Sequence, residues 1–260
     1  MLLTRTALLT LGCVSFLLPC AALADSTGSV TVNASDVIYY PNDPTDAMSI
    51  SGTVPVAINV TGGSYITFSN VTGSLFYDSP TDSNPPSGGI TLNNGTINDA
   101  DGAGAAPSTS YETGAGMYTG MYAPDAGYLT GLFTGSSMTA GTFYNYVTGD
   151  PGYNTSESAS SFTPDQNSAF FIGDGLTGDG TGTTQTFYIP TGATEVYLGI
   201  SDACGYTGSP SCYSDNQGAY SVDYTVSGTV STTPEPSSLA LLGTGILGAA
   251  GIVRRRITHS

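Results

Sequence analysis

Ala219-Tyr220-Ser221-Val222-Asp223-Tyr224-Thr225-Val226-Ser227 is the stretch of this chain that decides its fold. Tyr220, Val222, Tyr224 and Val226 alternate with Ser221, Asp223 and Thr225. Successive side chains of a strand point to opposite faces, so the pattern gives one buried face and one wet face. Outward from it, shorter runs rich in Val, Ile, Tyr, Phe and Thr recur between clusters of Gly, Pro, Asn, Asp and Ser. They are Ser29–Asn33, Val54–Val60, Tyr65–Ser69, Tyr128–Thr134, Ser168–Ile172, Thr184–Ile189 and Thr194–Ile200. Such runs, bounded by turn formers, read as strands. No stretch between Asp25 and Thr233 sustains a helical period. The expected fold is therefore all-β, a single jelly-roll-like β-sandwich over residues 25–230. About 200 residues suffice to bury a core. Ser79–Gly89 and Asp99–Thr113, rich in Gly, Pro, Ser and Ala, read as loops.

Charge narrows the chemistry. Only 9% of the 260 residues are charged, with Asp+Glu 20 against Lys+Arg 4 and a net charge of −16. The cations are Arg5, Arg254, Arg255 and Arg256; there is no lysine, and the single histidine is His259. Residues 6–253 thus hold every acid and no basic side chain. Nucleic-acid binding, which needs cations against phosphates, is excluded as a function of the body. So are a lysine-bearing phosphate loop, a Ser-His-Asp or Cys-His site, and zinc held by histidine. Carboxylates, tyrosines and two internal cysteines remain, a set that suits hard cations better than most catalysis.

The two ends read as addresses. Arg5, an apolar run from Ala7 to Leu18 and the small residues Ala22 and Ala24 make residues 1–24 a secretory signal peptide, cut after Ala24. Cys13 and Cys20 leave with it. At the other end, residues 231–236 form a linker containing Pro234-Glu235-Pro236. Residues 237–253 are 17 uncharged residues, the lower limit for a transmembrane helix. Arg254, Arg255 and Arg256 follow at once, which places the basic tail, residues 254–260, in the cytoplasm and the body outside.

This three-part order resembles the C-terminal sorting signal of PEP-CTERM proteins. The resemblance implies a bacterial protein anchored in the inner membrane by the C-terminal helix. An exosortase-type processing protease, acting near Pro234, Glu235 and Pro236, then releases it to the cell surface or extracellular matrix. In an exported chain, Cys204 and Cys212 read as a disulfide. Closing so short a loop contributes about 2–3 kcal/mol in the chain-entropy model.

That loop holds the candidate site. Leu198-Gly199-Ile200-Ser201-Asp202 delivers Asp202 at a strand end, and Asp215 and Asn216 return just before the next strand. Calcium takes six to eight oxygens from carboxylates, amides and carbonyls. Two clustered carboxylates without a nearby cation repel unless something positive enters. The alternative is a cross-linked turn with Asp and Asn in ordinary turn positions.

The 198–222 block is similar to calcium-dependent galactophilic bacterial lectins and their jelly-roll relatives. The resemblance makes Asp202, Asp215 and Asn216 side-chain ligands of Ca2+ and Cys212 a backbone-carbonyl ligand. Val71-Thr72-Gly73-Ser74-Leu75-Phe76-Tyr77 resembles the strand whose final tyrosine carbonyl completes the site, making Tyr77 a fifth ligand. Phe170-Phe171-Ile172-Gly173 and Val196-Tyr197-Leu198-Gly199 also resemble family strands. The family's sugar contact includes a histidine that the body lacks, so calcium binding carries over better than galactose binding.

Two further acidic clusters, Asn98-Asp99-Ala100-Asp101-Gly102 and Gly173-Asp174-Gly175 with Gly178-Asp179-Gly180, read as solvated turns. The function expected is a non-enzymatic cell-envelope or matrix protein that binds calcium, with extracellular polysaccharide as a partner. Its rivals are a glycoside hydrolase drawing paired carboxylates from Glu112, Glu157 and Glu195, and a purely structural matrix component.

Overall fold

In the computed structural model the alternating stretch lies inside a 14-residue strand, Gln217–Val230. Tyr220, Val222 and Val226 are buried, Ser221 is exposed, and Asp223, Tyr224 and Thr225 are intermediate. The structure describes residues 23–41, 52–76, 96–97, 100–102, 121–122, 127–136, 141, 144–145, 159–178, 180–202, 210–214, 216–230, 243 and 245–246.

The described strands in chain order are β1 (Leu23–Asn33), β2 (Val56–Asn59), β3 (Tyr65–Phe76), β4 (Thr96–Ile97), β5 (Met121–Tyr122) and β6 (Leu129–Gly135). β7 (Tyr144–Asn145), β8 (Ser161–Phe162), β9 (Ala169–Phe171), β10 (Thr186–Tyr188), β11 (Ala193–Ile200) and β12 (Gln217–Val230) follow. One sheet runs β1-β12-β3-β10-β8, with β4 on β3; the other runs β2-β11-β6-β9. β5 and β7 form a small parallel pair. The longest antiparallel pairs are β1 with β12, β12 with β3 and β11 with β6; β2 pairs with β11, β6 with β9 and β3 with β10 over shorter stretches. Together the strands make an all-β, two-sheet sandwich.

Side chains from the two inner faces meet in a single core. Val32, Ile66, Phe68, Phe187 and Val222 come from the larger sheet, and Ile58, Phe133, Phe170, Val196 and Leu198 from the smaller; all are buried. Aromatic rings bridge the layers. Phe170 of β9 lies 5.4 Å from Phe187 of β10 and 5.2 Å from Phe133, and Phe187 lies 5.6 Å from Phe68. Each such burial contributes roughly 1.5–3 kcal/mol.

All eight strands read from the sequence exist, but three are clearly longer, β12 among them, at Gln217–Val230 instead of Ala219–Ser227. β1 begins at Leu23 instead of Ser29, so Leu23 and Ala24, the last residues of the expected leader, pair with Val230 and Thr229. β3 continues past Ser69 to Phe76, because β12 keeps pairing with it across a β-bulge. Between the pairs Asp223–Ser69 and Ser221–Thr72, Asn70 and Val71 oppose the single residue Val222. At β6 the alternation fails. Leu129 through Phe133 are all buried, so both faces of that strand are covered, and an apolar run carries no period of two.

Residues Leu23–Val230 form one compact unit, and Met1–Ala22 with Ser231–Ser260 form another. Of the second unit only Gly243, Gly245 and Ile246 are described, all helical. Among the described residues no helix is long and apolar enough to cross a membrane; most of the expected span, residues 237–253, lies outside them.

Candidate functional site

β11 ends at Ile200 because its neighbours change there. The Ile200 N–H donates to the carbonyl of Asp36 at 2.8 Å, while the Ile38 N–H donates back to the Ile200 carbonyl at 3.4 Å. Gly199 permits this close crossing, since a Cβ on it would lie 2.7 Å from the Asp36 carbonyl oxygen. The chain then delivers Ser201 and Asp202, both buried. Tyr213, itself fully buried, fixes the turn. Its hydroxyl donates to the Ile200 carbonyl at 2.7 Å and accepts the Asp202 N–H at 3.0 Å. Burial, reinforced by neighbouring Tyr39 and Asp202, pushes the Tyr213 phenol well above its ordinary range, so it stays protonated. The Tyr39 hydroxyl is hydrogen-bonded to that of Ser201.

Asp202 is 4% exposed and Asn216 8%. The Asn216 side-chain amide donates to Asp202 Oδ2 at 2.7 Å and to the Ala34 carbonyl at 3.3 Å. Its other end, Oδ1, is buried without a hydrogen-bond partner. A buried amide oxygen normally has one. The Ser211 N–H donates to the Asp202 carbonyl at 3.3 Å, closing the neck of the loop. Cys212 is half-buried with φ 66°, a left-handed conformation uncommon outside glycine.

The structure thus brings Asp202 and Asn216 into contact, with Cys212 nearby in the chain. Asp215, Tyr77 and Cys204 lie outside the described residues. Phe76, the residue before Tyr77, pairs with Gln217, so β3 ends where β12 starts. Among the described residues no group of three or more His, Cys, Asp or Glu could hold a metal ion.

One buried acid at this end was not anticipated. Asp36, 2% exposed, accepts the Asn33 N–H at 2.7 Å and the Thr53 hydroxyl at 2.7 Å. It shapes the turn whose Ala34 carbonyl receives Asn216. The spacing Asn33-x-x-Asp36 directly after a strand was the available signal.

The two acidic turns turn out to be one structure. Asp101, 9% exposed rather than solvated, accepts the Asp174 N–H at 2.8 Å. Asp174 accepts the N–H groups of Leu176 at 2.7 Å and Gly180 at 3.0 Å. These carboxylates order backbone turns. Asp99 and Asp179 lie outside the described residues. Of the glutamates, Glu112 and Glu157 also lie outside them. Glu195 on β11 accepts the Tyr197 hydroxyl at 3.1 Å; burial, and next this bond, raise the Tyr197 phenol.

At the far C-terminal end, the comparison with protein families decides how the chain travels. Residues 232–256 match the PEP-CTERM protein-sorting motif. The match covers Pro234, Glu235, Pro236 and Arg254, Arg255 and Arg256, the residues singled out above. A PEP-CTERM chain is exported, sorted to the bacterial cell surface and processed by an exosortase. Its motif begins two residues after β12, whose first residue adjoins Asn216. No curated protein and no solved structure matches the chain, so the lectin resemblance finds no support in relatives.

Proposed function

We propose that this is a non-enzymatic protein of the cell envelope or extracellular matrix whose sandwich binds Ca2+ at the loop end of β11 and β12. The observation that carries the reading is the orphaned Asn216 Oδ1 beside the Asp202 carboxylate. A buried amide oxygen facing no donor is costly unless something electropositive reaches it. The body offers no lysine, arginine or histidine to do so. Carboxylate and amide oxygens are what a hard cation takes. Asp202 and Asn216 would supply side-chain oxygens, Asp215 a second carboxylate, and Cys212 and Tyr77 backbone carbonyls. A Cys204–Cys212 disulfide, suited to an exported chain, would hold the loop closed.

The antiparallel pairing of β1 with β12, β2 with β11, β3 with β10 and β6 with β9 supports a jelly-roll description of the sandwich. The same description is compatible with extracellular polysaccharide as a partner of the calcium-loaded loop.

Thermal unfolding of the detergent-solubilised full chain, in EDTA and across a CaCl2 series, tests the site. Binding to the folded state raises the midpoint by linkage, by about 2.7 kcal/mol at a hundredfold excess over Kd. Asp202→Asn should flatten the calcium dependence. A midpoint that ignores both calcium and chelator would remove the proposal.

A further inference from the structure

The outward face of the larger sheet is a second surface with a chemistry of its own. Ser29, Asp223 and Ser69 stand side by side on β1, β12 and β3, and Thr27, Thr225 and Thr67 form the next row. These side chains are exposed or half-exposed, so three neighbouring strands present rows of hydroxyls.

Two places on the face have a distinct feature. At one, Tyr65 of β3 is paired directly with Tyr188 of β10, ring centroids 6.3 Å apart and planes at 73°. Tyr188 is 46% exposed, an unusual amount for so large a side chain among the described residues. The other is the β3 bulge, midway along the strand. Asn70 there has φ 48°, and its amide donates to Asp223 Oδ2 at 2.9 Å. Bulges re-aim side chains, and asparagine is among the few residues that tolerate this conformation. The fold therefore spends an irregularity in a central strand on holding an amide–carboxylate pair in solvent.

We propose that this face, from Tyr188 to Asn70, binds an uncharged polysaccharide strand lying along β3. Asn70 lies five residue steps beyond Tyr65, about 16 Å at ~3.3 Å per strand residue, room for several sugar units. An exposed tyrosine offers an apolar ring for stacking and a polar tip. Exposed Asn70 and the flanking hydroxyls both donate to and accept from sugar hydroxyls, and the Asp223 carboxylate accepts from them. Charge selects the partner. The face bears a carboxylate and no cation, on a body of strongly negative charge, so a neutral polyol meets no repulsion and an acidic polysaccharide does. This site is separate from the calcium loop and does not rest on it.

The test is native electrophoresis of the detergent-solubilised full chain through gels cast with hydroxyethylcellulose, xylan, dextran or galactomannan, with alginate as the acidic arm. The expected result is retardation in at least one neutral gel. Tyr188→Ala and Asn70→Gly should each weaken it about tenfold while melting like the parent chain; glycine keeps the backbone conformation of the bulge. EDTA and Asp202→Asn should leave it unchanged. Migration unaffected by every neutral gel, retardation by alginate alone, or equal retardation of both variants would overturn the proposal. Retardation abolished by EDTA would also overturn it, and would assign sugar binding to the calcium loop instead.

Discussion

The Tyr213 hydroxyl accepts the backbone N–H of Asp202 at 3.0 Å while donating to the carbonyl of Ile200 at 2.7 Å. A side chain beyond the loop thereby fixes the strand end before it. The carboxylate of Asp202 is positioned by this bond as much as by its own strand.

Tyr213→Phe should keep the ring packing, take the Tyr213 acceptor from the Asp202 N–H, and leave the Ile200 carbonyl only the longer 3.4 Å bond from the Ile38 N–H. Leaving buried donors and acceptors unmet costs about 1–3 kcal/mol. A urea midpoint lowered by that amount, with an unchanged slope, is the expected outcome. Calcium stabilisation should weaken in the same variant, because Asp202 loses its orientation.

Asn216→Asp puts an oxygen where the amide nitrogen donates to Asp202 and sets two like charges together. Without calcium the variant should melt below the parent, through repulsion and the lost Asn216–Asp202 hydrogen bond. With calcium it should recover most of the difference, so its calcium-dependent shift exceeds that of the parent. A loss identical in EDTA and in calcium would show that no cation reaches this position.

Gly173→Ala tests the turn that joins the two acidic segments. Gly173 has φ 61°, and a Cβ there would collide with Asp101 Oδ1. The left-handed backbone alone costs about 1–2 kcal/mol for a residue with a side chain. Displacing Asp101 from the Asp174 N–H adds to that, so calorimetry should show a clear fall in Tm.

Alkali should unfold the sandwich through its tyrosines. Burial raises the Tyr144 phenol to about 12 and pushes that of Tyr213 well above its usual value near 10. A phenol raised in the folded state contributes stability that is complete below the unfolded value and is lost as pH rises through the folded one. Stability should therefore fall between about pH 10 and 12. The tyrosinate absorbance contributed by the buried tyrosines should rise together with the loss of near-ultraviolet circular dichroism, rather than before it.

Much of the framework was legible because alternation is a local signal. The β12 pattern and the seven apolar runs each showed their own strand, and all eight exist. β6 was found as an apolar run, but its burial on both faces depends on what covers it. The extension of β3 was hidden, since Asn70-Val71-Thr72-Gly73-Ser74 has no apolar period and persists only by pairing with β12. At the candidate site, Asp202 and Asn216 were read together and do touch. Asp36 was passed over because its role depends on Thr53 and Ala34, contacts that no spacing along the chain reveals.

By itself the sequence determined the all-β class, the C-terminal sorting signal and the absence of basic chemistry from the body. Alternation, motif order and charge are properties of neighbours along a chain, so they survive without a fold. Tertiary structure alone decided which polar groups meet. It buried Asp101 against the Asp174 turn, left Asn216 Oδ1 without a donor, and set Asn70 against Asp223 through one inserted residue. Each depends on the register between strands far apart in sequence, where a shift of one residue exchanges the two faces of a sheet.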